Sequence, residues 1–175
     1  QFDYDFQVKS RIQEAVMEKV TILVDAQNIY YTTKQAYGCG FDYNEFWRRA
    51  ASNREIVRAI AYSSERGDSK QRQFQNILRA IGFEVKLKPY IQRQDGSSKC
   101  DWDVGITIDA LESANDSNVV VLASGDGDFD LLVEKLKIDF GLVIEVYGVP
   151  GLTATSLIEA ASKYVPIENG LLLKK

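Results

Sequence analysis

The stretch Asn118–Phe129, NVVVLASGDGDF, is an uninterrupted apolar run that ends in a loop of glycines and aspartates. Val20–Asn28, VTILVDAQN, follows the same plan: an apolar run, a carboxylate, then polar residues opening a helical pattern. A strand with one wet face alternates apolar and polar residues, whereas a strand covered on both faces is apolar throughout. Both runs therefore predict central parallel strands with helices packed above and below.

The pattern extends outward from these two strands. After the first, the spacing predicts helices over Asn28–Gly38 and Tyr43–Ala51, a strand over Arg54–Ser64, and a serine-capped, glycine-ended helix over Ser69–Gly82. A half-exposed strand over Phe83–Tyr90 and a turn-rich loop over Gln92–Ser98 follow. Asp101–Ala114 predicts a helix with Asp101 at its cap and Val104, Ile108 and Leu111 as its buried stripe. Beyond the second strand come a helix over Phe129–Gly141, a strand over Leu142–Val149, a helix over Thr153–Ser162 and a short strand over Tyr164–Ile167. Val8–Glu18 predicts a leading amphipathic helix. Strands separated by helices imply right-handed crossovers, so the expected fold is a three-layer α/β/α domain with a mostly parallel, doubly wound sheet. That domain would occupy residues 20–168, after a leading helix in residues 1–19 and before a tail in residues 169–175.

A chain of 175 residues buries roughly 70% of its surface on folding and needs no disulfide or metal merely to fold. The net charge of −4 excludes a uniformly basic coat for nucleic acid, but permits a basic rim around an acidic centre. Cys39 and Cys100 are too few for a disulfide framework and suit a reducing cytoplasm. No apolar run is long enough to span a bilayer, and Asp3, Asp5, Glu14 and Glu18 are unlike a signal peptide, so the expectation is a cytoplasmic protein with no membrane partner. The chain contains no histidine. Serine–histidine triads, histidine-paired thiols and imidazole bases are excluded, and any chemistry must rest on carboxylates.

Open α/β sheets bind ligands outside the carboxyl ends of their strands, near the point where strand order reverses. Asp25 ends the first apolar run, Asp126 and Asp128 follow the second, and Asp103 joins them if its helix starts at the same edge. Converging carboxylates must protonate or hold a cation, because two charges about 4 Å apart repel by roughly 4 kcal/mol at an effective dielectric near 20. An all-oxygen set selects a hard ion such as Mg²⁺ or Mn²⁺. Gly125 and Gly127 would let backbone approach that ion or a phosphate. Any one of these aspartates is as readily a helix cap; three such strand ends are harder to explain that way. A calcium loop starting at Asp126 is rejected, since Leu131 and Lys137 stand where glycine and glutamate are required. A phosphatase of the haloacid-dehalogenase type, with Asp126 as nucleophile, is weakened by Asp130 at a position that wants threonine or valine.

Asp25-Ala-Gln-Asn28, Asp103-Val104 opening a helix after a lysine, and Ser124-Gly-Asp126-Gly-Asp128-Phe129 together resemble the NYN domain, a PIN-like nuclease group that includes LabA-like proteins. The resemblance implies a PIN-like fold and Mg²⁺- or Mn²⁺-dependent RNA cleavage. It places the metal site on Asp25, Asp103, Asp126 and Asp128, with Asn28 and Ser124 orienting ligands or water. The family often carries Lys-Gly-x-Asp-Val, whereas Lys99-Cys-Asp101-Trp-Asp103-Val104 has an extra residue and no glycine. Either Asp101 or Asp103 can then face the metal, with Asp103 preferred and Asp101 as cap. Asp109 lies about 240° around a helix from Asp103 and is a second-rank candidate.

Candidate phosphate contacts are Lys34, Arg66, Lys70, Arg72, Lys88, Arg93 and Lys99, with Arg93 and Lys99 foremost. Tyr30, Tyr31 or Trp102 can stack on an unpaired base, which points to single-stranded RNA as partner. A homodimer is a further expected partner, with no role assigned to the leading helix. The expected function is a metal-dependent endoribonuclease hydrolysing phosphodiesters with metal-activated water. The alternatives are a PIN-like module that binds RNA or protein without cutting, and the phosphatase.

Overall fold

The computed structural model describes residues 16–174 apart from 90, 96, 97 and 100, with 91, 92, 98 and 99 described by backbone alone. The chain runs β1 (Glu18–Asp25), α1 (Ala26–Tyr37), α2 (Tyr43–Ala51), β2 (Arg54–Glu65), α3 (Ser69–Ile81), β3 (Glu84–Pro89) and a small hairpin of β4 (Ile91–Gln92) and β5 (Ser98–Lys99). It continues through α4 (Asp103–Ala114), β6 (Val119–Ala123), a 3₁₀ turn (Gly127–Phe129), α5 (Asp130–Phe140), β7 (Val143–Gly148), α6 (Thr155–Ala160), β8 (Lys163–Pro166) and a second 3₁₀ turn (Asn169–Leu171). Six strands form one sheet in the order β3-β2-β1-β6-β7-β8, every neighbouring pair parallel. The expected three-layer α/β/α class is the observed one. Strand order reverses between β1 and β6, so the two apolar runs quoted above lie side by side at the switch point, with Val24 in register with Ala123.

Alternate residues of these strands enter opposite cores. Val20, Ile22 and Val24, with Val119, Val121 and Ala123, pack beneath α1, α2 and α3; Leu23, Val120 and Leu122 pack against α4, α5 and α6. Both faces are dry, which is why the runs contain no alternation. Truncating Leu23 or Ile22 to alanine would cost about 2–5 kcal/mol in lost burial and cavity. Three helices start on aspartate caps: the Asp25, Asp42 and Asp68 side chains accept from the amides of Asn28, Glu45 and Gln71. The expected serine cap of α3 is thus corrected. Ser69 is its first helical residue, and the better acceptor, Asp68, caps it.

The leading helix lies largely outside the described residues, but Glu18 and Lys19 already belong to β1, so such a helix ends before them. Two of the residues set apart as a tail pack onto the domain. Leu171 is fully buried, its carbonyl accepts from the Asp42 amide at 2.8 Å, and Leu172 forms a bridge with Phe41. No helix among the described residues is long and apolar enough to cross a membrane.

The expected stripe of α4 is also corrected. Ile106, Ala110 and Ala114 are buried with Asp109 and Ser113, while Val104 is 71% and Ile108 50% exposed. Alanines beside Ile106 let the helix lie close to β1 and β2; of the expected stripe, Val104 and Ile108 are turned outward, while Leu111 is partly buried against the core.

Candidate metal centre

Each half of the site begins where a central strand stops. Asp25 closes β1 and caps α1, one oxygen taking the Asn28 amide at 3.4 Å. Its other oxygen accepts from the fully buried Ser124 hydroxyl at 3.1 Å, one strand away after β6. Ser124 Oγ in turn accepts the Asp126 amide at 3.2 Å, and Asp126 Oδ1 accepts the Asp128 amide at 2.9 Å. Asn28 completes the link in the other direction, its side-chain oxygen accepting the Gly125 amide at 2.9 Å. The two strand ends are therefore laced together by side chains from both motifs.

The third contribution comes from α4. Trp102 is the N-cap residue of α4, and from one position earlier Asp101 Oδ1 accepts the Asp103 amide at 2.7 Å, with Asp103 in the first helical turn. Trp102 fixes this start. Its indole N–H donates to the Ser63 carbonyl at 2.9 Å, its ring lies 5.3 Å from that of Tyr62, and Lys88 Nζ sits 4.4 Å above it while bonding the Asp101 carbonyl. Gly105, the apparent flaw in this helix, is required by the same packing: a Cβ there would approach the Trp102 ring to 2.7 Å.

One carboxylate oxygen each from Asp103, Asp126 and Asp128 lies within 4.8 Å of the others. Asp25 stands outside that trio, behind Ser124, yet close enough that the Asp126 charge raises its pKa. Burial is the larger cause, and together they push Asp25 up to about 6, against the Asn28 and Ser124 hydrogen bonds that lower it. Burial, a hydrogen bond that the protonated Asp103 carboxyl donates to the Asp101 carboxylate, and the charges of Asp126, Asp101 and Asp25 push Asp103 up to about 7. Both carboxyls are thus held in a field that a cation would relieve. Three hard oxygen donors of mixed exposure, with Asp128 open to solvent, fit a divalent ion of the Mg²⁺ or Mn²⁺ kind.

Other sequence candidates fall elsewhere. Asp109 is buried on the far side of α4, accepting from Tyr62 at 2.7 Å, Lys86 at 2.8 Å and Arg58 at 3.2 Å, so it is a structural acceptor outside the cluster. Arg93 is exposed in the turn of the β4–β5 hairpin, and the side chain of Lys99 lies outside the described residues. Tyr31 is exposed on α1, its hydroxyl accepting from Arg66 at 3.3 Å. The role expected of Gly125 is corrected: a Cβ there would overlap the Leu152 carbonyl oxygen, so the absent side chain admits the segment before α6, not a ligand. The Ala154 amide bonds the Gly125 carbonyl at 3.0 Å across this close approach. Sequence reasoning missed the Trp102–Tyr62–Ser63 support and the β4–β5 hairpin, and only Gly105 within an otherwise regular helix hinted at the first.

The NYN domain model matches residues 19–168, from the start of β1 to just beyond β8. The chain belongs to the NYN domain family, a PIN-like nuclease family. It is 28% identical over 159 residues to the low amplitude and bright protein LabA of Synechococcus elongatus, covering 86% of this chain and 84% of that protein. A protein of unknown function from Vibrio parahaemolyticus, known from a crystal structure, shares 55% identity and superposes with a TM-score of 0.85 over 90% of this chain and 97% of that one.

Proposed function

We propose that this NYN domain is a Mg²⁺- or Mn²⁺-dependent endoribonuclease acting on single-stranded RNA. The observation that carries the proposal is the convergence of Asp103, Asp126 and Asp128 at the switch point, with Asp25 tied behind them by Ser124, in a chain with no imidazole. Asp103, Asp126 and Asp128 would hold the ion, with Asp25 adding charge from behind. When bound, the ion supplies neutralisation of phosphoryl oxygen and activation of water.

The chain's own residues set the geometry for that chemistry. Ser124 spends its proton on Asp25 and its lone pair on the Asp126 amide, so both carboxylates are oriented by one hydroxyl. Asn28 holds the Gly125 backbone and so fixes the approach of the Asp126 loop. Asp128, the exposed member, borders the solvent from which substrate arrives. Membership of a nuclease family disfavours the phosphatase alternative. Incubation of the protein with labelled single-stranded RNA, with and without Mn²⁺, tests the proposal. Cleavage confined to the metal-containing reaction supports it, and metal-dependent binding without cleavage would make the domain a non-cutting module.

A further inference from the structure

A groove of about 500 Å³ opens beside the acidic centre, between α1 and α3. Its walls carry Gln27, Tyr30, Tyr31 and Lys34 from α1, with Lys70 and Phe74 from α3. The lining includes neighbours of two of the candidate metal residues. Ala26, in its lining, follows Asp25 in the chain; the carbonyl of Ser63, also in its lining, accepts the indole N–H of Trp102, the neighbour of Asp103. A strand of substrate leaving the carboxylates toward α1 and α3 would enter it at once.

The lining has an unusual character for an open surface. Tyr30 is 55% and Tyr31 49% exposed, their rings in an edge-to-face pair 5.4 Å apart. Burial does not account for two adjacent tyrosines held this way, whereas rings offered to solvent can take a partner's π-face. Three cations, Lys34, Arg66 and Lys70, line the same groove. The single acidic residue of the lining, Asp68, is committed to the Gln71 amide at 2.7 Å as the cap of α3. The Gln71 side chain accepts the Arg66 amide at 2.5 Å and donates to the Ser64 carbonyl, which fixes the groove's rim. Aromatic faces beside cations are the chemistry of an unpaired nucleotide: the base stacks and the phosphates meet lysine and arginine. A duplex, with its bases already stacked and paired, cannot offer the same contact.

We propose that the α1–α3 groove is a nucleotide subsite that holds an unpaired RNA residue flanking the bond to be cut. The subsite rests on the ribonuclease reading above and adds to it where the strand runs and why single strands are preferred. The base stacks on Tyr30 or Tyr31, and Lys34 and Lys70 take the adjoining phosphates.

The test is photocrosslinking. Single-stranded RNA containing 4-thiouridine is bound to the wild-type protein in EDTA at low salt, irradiated, and the adducts located by mass spectrometry. Adducts on Tyr30 or Tyr31, with Tyr31→Ala and Lys70→Glu each weakening RNA affinity about tenfold, are expected. Both positions are exposed, so an unchanged melting temperature will confirm that these variants fold. RNA that binds with adducts only elsewhere, and with wild-type affinity in both variants, would overturn the subsite while leaving the ribonuclease reading intact. Failure to bind any single-stranded RNA would overturn the RNA reading, and the subsite with it.

Discussion

The Ser124 hydroxyl donates to the Asp25 carboxylate at 3.1 Å across the boundary between two parallel strands, joining the two motifs of the acidic centre. The same oxygen accepts the Asp126 amide, so one buried hydroxyl orients carboxylates from both sides of the switch point. Ser124→Ala should remove the partner of Asp25 Oδ2 and of the Asp126 amide, leaving Asp25 only the Asn28 amide. A loss of about 1–3 kcal/mol in stability is expected, together with metal affinity weakened about tenfold to a hundredfold. Chemical denaturation and Mn²⁺ titration measure the two. An unchanged Mn²⁺ affinity would show that Asp25 and Ser124 do not support the metal site.

Asp25 and Asp103 give the metal-free protein a particular pH dependence. Their folded-state pKa values are raised, to about 6 and about 7, from ordinary carboxylate values near 4. Between these limits the folded chain holds protons that the unfolded chain has released, so stability is fully present at the acid end and is lost as pH rises through 6 to 7. The melting temperature in EDTA should therefore fall between pH 5 and pH 8. A divalent ion should reverse the loss, adding about 2.7 kcal/mol at a hundred times its dissociation constant. Asp126→Asn should raise the metal-free melting temperature and abolish the response to metal. An undiminished metal response in that variant would place the ion elsewhere.

Asp109 should behave oppositely. Its carboxylate is held below the usual range, chiefly by Lys86 and Tyr62 against the cost of burial, so its contribution is present near neutrality and lost as pH falls through the folded value, below about 4. Asp109→Asn should cost about 1.5–3 kcal/mol near neutral pH, while the Mn²⁺-induced shift in melting temperature stays at the wild-type size. A lost metal shift in a folded Asp109→Asn protein would return this residue to the site.

Gly105→Ala tests how Asp103 is placed. The new methyl group meets the Trp102 ring, so either the ring or the first turn of α4 must move. Overpacking of this kind costs about 1–3 kcal/mol, and the Mn²⁺ affinity should fall with it, because Trp102 and Asp103 are adjacent. Calorimetric titration with Mn²⁺ provides the measurement; wild-type affinity would mean that Trp102 packing does not set Asp103.

The central half of this fold was legible because chemistry and periodicity agreed there. The runs Val20–Val24 and Val119–Ala123 read as doubly covered strands, and Asp25 and Asp126 lie at their ends as the topology requires. Legibility failed where tertiary packing overrode local pattern. Val104 and Ile108 have the spacing of a buried stripe, but α4 approaches the sheet through Ala110 and Ala114, a choice that depends on the neighbouring strands. The β4–β5 hairpin is two residues long on each side, too short for any period to register. The aspartates were legible from sequence, but the link between them was not: Asp103, Asp126 and Asp128 bring oxygens within 4.8 Å of one another, while Asp25 is joined to the Asp126 loop through the Ser124 hydroxyl. Likewise the groove beside the site joins α1 to α3, two elements separated in sequence by α2 and β2.

The most direct measurement is cleavage of end-labelled single-stranded RNA by wild-type, Asp126→Asn and Asp128→Asn proteins, each in Mn²⁺ and in excess EDTA. Both substitutions remove a charge with little change in volume, so the fold and RNA binding should persist. The account predicts internal cleavage by wild-type protein in Mn²⁺ alone, reduced by orders of magnitude in either variant. Equal cleavage in EDTA, or full activity in both variants, would contradict it.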